Sequence, residues 1–334
     1  MPQTDSNRRE FFDILSGISV SALMVQGLMA ADERSGDMIY RKLGSTGERV
    51  SAIGLGGYHI GVPKTKEESA KLIRTAIDRG INFLDNCWDY MDGKCEVWMG
   101  EALRDGYRQK IFLMSKFDSR TKAGTLKQID ESLKRLQTDH LDLMQFHENI
   151  RLEDPDRFFN EGVGEALLEA KKAGKIRYIG FTGHKDPSVH LRMLDQAQAH
   201  QFRFDTAQMP LNILDAQFRS FAGQVVPRLV KEGIGVLGMK PLASGAIPRG
   251  KIATATECLH YALNLPTSVV INGMTNLDEL DQAIKAAKEF KPLSKSELST
   301  LLSRTREASL TGRHELFKTT QNFDGTASHP QWMA

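Results

Sequence analysis

The sequence predicts an α/β fold, a (β/α)8 TIM barrel with an N-terminal β-hairpin and an extra C-terminal helix and tail. Two observations lead there. Short apolar runs alternate with helix-period segments eight times over about 240 residues, a succession that suits a closed parallel barrel better than an open sheet. Ionisable residues then close several of the runs: Asp85 ends "INFLD", Lys116 ends "IFLMSK" and His147 ends "LDLMQFH". Barrel enzymes carry their chemistry at the C-terminal ends of strands.

The chain opens with a segment of different character. Arg8-Arg9 is followed by Glu10-Phe11-Phe12, then by an uncharged apolar stretch from Ile14 to Ala31 that ends in Met29-Ala30-Ala31. A basic start, an apolar centre and a small-residue end are the parts of an export signal. Twin arginine before an aromatic residue resembles the bacterial Tat signal. Ser16, Ser19, Ser21 and Gln26 make the stretch too polar for a convincing membrane span. The expectation is a Tat-like signal over 1–31, delivery by the Tat machinery to a bacterial periplasm, and no stable membrane span in the mature chain. A plain N-terminal extension on a cytoplasmic protein is the alternative. The segment holds two arginines against three acids, so its loss would raise the net charge from +2 to +3.

A single domain is expected over 37–334. Ile39–Lys42 and Arg49–Val50 flank the turn residues Gly44 to Gly47 and read as a hairpin. The barrel strands are predicted at Ala52–Leu55, Phe83–Leu84, Ile111–Ser115, Leu141–Phe146, Ile176–Phe181, Phe204–Ala207, Ile234–Met239 and Ser268–Ile271. The helices between them are predicted at Lys66–Arg79, Glu96–Arg104, Leu126–Leu136, Gly164–Ala173, Ser188–Ala199, Val225–Glu232 and Thr256–Leu263, with Leu277–Phe290 after the last strand. Thr65 with Glu68 has the form of a capping box. Gly80, Gly174 and Gly233 each close a helix just before a strand. A further helix, Ser294–Ser309, and a polar tail from Gly312 complete the chain.

Composition narrows the function classes. With 40% apolar and 26% charged residues the chain is that of an ordinary soluble protein, and a net charge of +2 without basic clusters beyond the N-terminus leaves no nucleic-acid footprint. Cys87, Cys95 and Cys258 lack metal-ligand spacing. They read as plain buried thiols, with Cys87 lining any pocket formed by Asp85 and Tyr90. A Cys87–Cys95 disulfide is possible by position only.

The chemistry centres on Asp85, Tyr90, Lys116 and His147. Tyr90 falls in the loop after the second barrel strand, and the others fall at the ends of strands two, three and four. A free tyrosine titrates near 10. A neighbouring ammonium stabilises the phenolate, so Lys116 is expected to lower the pKa of Tyr90, with Asp85 keeping Lys116 charged. His147 is placed to hydrogen-bond a substrate carbonyl. The set forms a proton donor for an alkoxide, which carbonyl reduction requires.

These residues sit within the stretches "NFLDNCWDYMDGKCEVWMGEAL", "FLMSKF", "LDLMQFH", "KIRYIGFTG" and "GVLGMKPLASG". Together, from about Met38 to Phe290, they resemble the aldo/keto reductase family. The resemblance implies that Asp85, Tyr90, Lys116 and His147 are the catalytic tetrad, with the family's following Glu and Gly at Glu96 and Gly100. It also implies NAD(P)-dependent hydride transfer to or from an aldehyde, ketone or sugar-like carbonyl, with NADP(H) or NAD(H) held in extended form across the barrel mouth. The carboxamide would meet Thr182 and Gln208, although the family's usual Asn is Gly183 here. Met239 stands in place of a stacking aromatic. Pro241, Leu242, Ser244 and Lys251 would border the pyrophosphate, and Gly273, Met274, Thr275, Asn276, Glu279 and Gln282 the adenosine. Glu279 sits where a phosphate-binding arginine would be expected, which leans the specificity toward NAD. The G-x-G-x-x-G at Gly233, Gly235 and Gly238 lies before and within a strand, so it is not a dinucleotide fingerprint.

A substrate pocket is expected from Tyr58, His59, Trp88, Phe117, Glu148 and His184, with the C-terminal tail closing over it. Two other functions are compatible with a barrel. One is a metal-dependent barrel hydrolase using His147, Glu148, His59, His184 and Asp85, disfavoured because no histidine pair has ligand spacing. The other is a cofactor-binding sensor or accessory subunit on the same fold. The leading reading needs no metal, and its partner is a small-molecule carbonyl compound.

Overall fold

A computed structural model describes residues 32–334. The signal-like segment lies outside the described residues. The first elements are β1 (Glu33–Ser35), β2 (Met38–Lys42) and β3 (Arg49–Ser51), joined as an antiparallel sheet. The expected hairpin is therefore present, with an added edge strand. β1 left no mark in the sequence because all three of its residues are exposed, so it has no apolar alternation. Leu43 and Val50 of the hairpin plug the bottom of the barrel, in one cluster with Phe83, Phe112, Met114, Leu143, Leu237, Val269 and Ile271. Gly44, at φ +54°, lies so close to the start of the seventh barrel strand that a Cβ there would sit 2.5 Å from the Gly235 nitrogen.

The barrel strands are β4 (Ile53–Gly56), β5 (Phe83–Leu84), β6 (Phe112–Phe117), β7 (Leu141–Phe146), β8 (Ile176–Thr182), β9 (Thr206–Pro210), β10 (Gly235–Met239) and β11 (Val269–Gly273). They close in sequence order through parallel pairs, β11 meeting β4. Five strands run further toward the mouth than the apolar runs suggested: β4 through Gly56, β6 through Lys116 and Phe117, β8 through Thr182, β9 through Pro210 and β11 through Gly273. The reason is physical. The hydrogen-bonded ladder continues where the side chains turn polar to line the mouth.

Side chains alternate between barrel interior and helix layer. Met114, Leu143, Leu237 and Ile271 point inward, whereas Leu113, Phe117, Met144, Phe146, Phe181, Val236 and Val270 join the large outer core. This parity places Lys116, Gln145, Thr182, Met239 and Gly273 on the inner face.

Helices fill the outer layer much as predicted, including Lys66–Asp78, Lys94–Ala102, Lys122–Leu136, Val163–Lys172, Pro187–Ala199, Ala255–Asn264, Leu277–Glu289 and Lys295–Ser309. Gly80, Gly174 and Gly233 have φ of +96°, +75° and +67° at helix ends. The expected capping box at Thr65 is only half formed. Thr65 accepts the Glu68 N–H, but the Glu68 carboxylate accepts from Lys64 instead. Reciprocal boxes form at Thr254/Glu257 and Ser294/Glu297. Gly233 ends a helix and Gly235 and Gly238 lie on β10, so the glycine triplet serves packing. Among the described residues no helix is long and apolar enough to cross a membrane.

Candidate active site

The four predicted ionisable residues converge. Lys116, inward on β6, is 1% exposed and Asp85, just beyond β5, is 4% exposed. The Lys116 ammonium donates to a carboxylate oxygen of Asp85, to the Asn86 carbonyl at 2.7 Å and to the Tyr90 hydroxyl oxygen at 3.2 Å. Tyr90 is brought there by a tight turn in which Met91, Asp92 and Gly93 all have positive φ. The chain then reverses into the helix Lys94–Ala102. Left-handed non-glycine residues of this kind store strain and cluster at functional sites. The Tyr90 ring meets the edges of Tyr58 and His147, with centroids 5.6 and 6.1 Å away.

Glu96 and Gly100 hold this turn from behind. Buried Glu96 accepts from Ser115 Oγ at 2.6 Å and pairs with Arg135. Gly100 lets the helix press on the next one, since a Cβ there would lie 2.5 Å from the Arg135 carbonyl.

The electrostatics correct one expectation. The Tyr90 phenol is raised well above 10, first by burial and then by Asp85, Cys87 and Asp89. The Lys116 ammonium does not outweigh these. Burial also pushes the His147 imidazole downward. The Nδ1 of His147 lies 2.8 Å from Asp118 Oδ1, 3.3 Å from Cys87 Sγ and 3.8 Å from Asp89 Oδ1. Burial, followed by nearby carboxylate charge, pushes Asp89 up to about 7 and Asp118 up to about 8. Asp89 and Asp118 escaped the sequence reading, although one precedes Tyr90 and the other follows Lys116 by two residues. Cys87 lines the site as expected. No Cys87–Cys95 disulfide forms, and all three cysteines are free and buried.

Cofactor-side residues gather around the opposite rim. Thr182 and Gln208 are cross-strand partners on β8 and β9, both buried. The Gln208 Oε1 has no hydrogen-bond partner. A buried acceptor without a donor suits a primary amide, so these residues fit a carboxamide. The Asn expected by family pattern cannot stand at 183, because a Cβ there would lie 2.2 Å from the Asn149 carbonyl. Asn149 itself presents a buried, unpartnered Oδ1 beside Thr182. Sequence reasoning missed it, and no motif marks it. Met239 is half-buried at the mouth end of β10, Pro241 is buried and Leu242 packs between two core clusters. Ser244 is exposed in a left-handed turn, and its carbonyl accepts from Arg249 at 2.9 Å. Lys251 is exposed.

At the end of β11 two assignments change. Met274 is fully buried in the outer core, so its side chain does not face an adenosine. The Glu279 carboxylate is not free: it accepts the Thr275 N–H at 2.7 Å and the Thr275 hydroxyl at 3.0 Å. Asn276 caps the following helix through the Glu279 N–H, and Gln282 is exposed one turn on. Gly273 is overlain by the His59 ring, which occupies the space a Cβ would need.

Of the expected pocket residues, Tyr58 stands beside Tyr90 and is 49% exposed. Phe117 does not line the pocket. It is one residue past inward-facing Lys116, so the pleat turns it outward against Phe146. Trp88 donates to Glu131 at 2.7 Å and meets Trp332 of the tail edge-on, so it stands at the rim. Glu148 is also unavailable to a substrate. Its carboxylate accepts the N–H groups of Gly325 and Thr326 at 2.6 and 2.7 Å. The tail does fold over the loops after β6, β7 and β8: Asp324 meets His184 and Lys185 at 3.0 and 2.8 Å, and Arg120 and Gln128 hold the backbone of Met333 and Trp332. The disfavoured hydrolase set of His147, Glu148, His59, His184 and Asp85 does not assemble: among the described residues the cluster of metal-capable groups that includes His147 contains none of the other four.

Comparison with known proteins gives the family and the fold. Residues 52–256 match the model of the Aldo/keto reductase family. The L-galactose dehydrogenase of Arabidopsis thaliana is 27% identical over 291 residues, covering 76% of this chain and 89% of that protein. Among solved structures, an aldo-keto reductase of Pseudomonas aeruginosa is 27% identical with a TM-score of 0.63, covering 75% of this chain and 95% of that one. The holo form of an aldo-keto reductase from Bacillus halodurans, 24% identical, shares the fold with a TM-score of 0.67 over 83% of this chain and 99% of that one. The chain belongs to the aldo/keto reductase family, whose members are oxidoreductases that use a nicotinamide cofactor.

Proposed function

We propose that this chain reduces a sugar-like or other small carbonyl compound, with Tyr90 as the proton donor. The observation that carries the reading is the buried Asp85–Lys116–Tyr90 chain. Lys116 spends one N–H on the phenolic oxygen, leaving the phenol O–H to donate elsewhere. Burial and the acids around Tyr90 keep that O–H protonated across the neutral range. When a substrate carbonyl becomes an alkoxide, Tyr90 gives up its proton, and the Lys116 ammonium stabilises the phenolate left behind. Asp85 holds that ammonium in place, and His147 orients the carbonyl. Reduced nicotinamide, when bound, supplies the hydride. Thr182 and Gln208, with Asn149 beside them, would hold its carboxamide, and Met239 would offer the ring a soft apolar surface. Pro241, Leu242, Ser244 and Lys251 would border the pyrophosphate, and Gly273, Thr275 and Gln282 the adenosine.

The named activity of the Arabidopsis relative supports a sugar-type substrate, as do Tyr58 and the Trp88–Trp332 pair at the rim. The loop Thr275–Gln282 carries no lysine or arginine, which favours NADH or relaxed specificity. A large advantage for NADPH in catalytic efficiency would refute that preference. The Arg8-Arg9 segment supports Tat export of one folded barrel domain over 37–334, with the periplasm as destination. Finding an Arg8-Arg9→Lys-Lys variant distributed as the wild type, wholly in the cytoplasm, would count against export. For the main reading, Tyr90→Phe should lower turnover of a responsive carbonyl substrate by about 10²–10⁴-fold while cofactor binding, read by fluorescence, is retained. Unchanged turnover would remove Tyr90 as donor.

A further inference from the structure

We propose that Cys87, Asp89, Asp118 and His147 form a binding site for a divalent metal ion of the zinc class. The four side chains come from three loops at the mouth, and one ligand atom from each falls within 4.8 Å of all the others. A tetrahedral zinc site with N and O bonds near 2.0 Å and an S bond near 2.3 Å has ligand–ligand edges of roughly 3.3–3.7 Å. Around His147 Nδ1 the observed edges are 2.8 Å to Asp118, 3.3 Å to Cys87 and 3.8 Å to Asp89. These three edges lie within about half an ångström of the tetrahedral values, and the remaining three are no longer than 4.8 Å.

The second observation is the state of the carboxylates. Asp118 has a fully buried side chain and its Oδ2 has no partner; Asp89 Oδ1 is buried and unpartnered too. The other acids nearby have cations: Asp85 has Lys116, Asp154 has Arg120 and Glu96 has Arg135. Asp89 and Asp118 have only the His147 ring. Buried carboxyls without a cation are costly to ionise, and a dication placed among them and the Cys87 sulfur supplies the countercharge that lets all three ionise. Lys116 and Arg120 flank the cluster, Arg120 facing the His147 carbonyl, while Glu148 adds negative charge on the same side. One thiolate, one imidazole and two carboxylates are a donor set for zinc or a similar borderline ion rather than for magnesium or calcium. Binding would release to solvent the Cys87 thiol proton and the protons carried by Asp89 and Asp118. It would also commit His147 Nδ1 to the metal, leaving Nε2–H as a donor.

The test uses tag-free, full-length protein stripped with a chelator and titrated with Co²⁺ and Zn²⁺. Metal content and the thiolate-to-cobalt charge-transfer absorption are read directly, so the outcome does not depend on turnover. About one ion per chain with a thiolate–cobalt band is expected. The Cys95→Ser, Cys258→Ser double variant should keep the band, which assigns it to Cys87 without altering the site. Cys87→Ser should lose the band, and Asp118→Asn, with its melting curve checked for folding, should weaken affinity at least 10–100-fold. No thiolate–cobalt band in the wild type, or a band that survives Cys87→Ser, overturns the proposal.

Discussion

Replacing Lys116 by Met should destabilise the protein far more than its single hydrogen bond to Tyr90 suggests. The ammonium is 1% exposed and satisfies both the Asp85 carboxylate and the Asn86 carbonyl. Removing it leaves a carboxylate at 4% exposure without a cation. Breaking a buried pair from one side costs about 3–5 kcal/mol. The same change should lower the melting temperature by roughly 1–2 °C per kcal/mol. The double variant Asp85→Asn, Lys116→Met removes the stranded charge and should recover most of the loss. Urea unfolding of wild type, both single variants and the double variant gives the coupling directly. The reasoning fails if Lys116→Met lies within about 1 kcal/mol of wild type. It also fails if the double variant is less stable than Lys116→Met alone.

Gly100→Ala would normally strengthen a helix by about 1 kcal/mol, yet the 2.5 Å approach to the Arg135 carbonyl should reverse the sign to a loss of about 1–3 kcal/mol, read by denaturant melts. Phe117→Ala should cost about 3–5 kcal/mol of stability while leaving KM nearly unchanged, because the ring faces the outer core; a selective rise in KM would return it to the pocket. His190 is buried, with its pKa lowered to about 4, below its unfolded value near 6.5. Between those values the unfolded chain binds the extra proton, so stability is complete above pH 6.5 and declines toward pH 4 by up to roughly 3 kcal/mol. Unfolding measured across that window should show a slope that His190→Phe flattens.

Local chemistry carried much of this protein. Apolar runs, capping residues and the glycines at 80, 174 and 233 marked the helices and strands, because each depends on neighbours a few residues away. The four ionisable residues were legible for a related reason, since a charged group that ends an apolar run has few structural uses. Side-chain direction and electrostatic balance needed the closed barrel. Phe117 follows Lys116 in sequence but lies on the opposite face, and Met274 turns into the core. Glu148 and Glu279 carry charge in the sequence, yet their oxygens are occupied by the tail and by Thr275. The sign of the Tyr90 shift depended on how much water the fold removes and which acids it brings near. Cys87, Asp89, Asp118 and His147 span 61 positions and no motif joins them. Periodicity and residue type suffice to read the barrel and its four ionisable mouth residues from the chain. Which groups remain free to act depends on partners distant along it, and those are brought together by the closed fold alone.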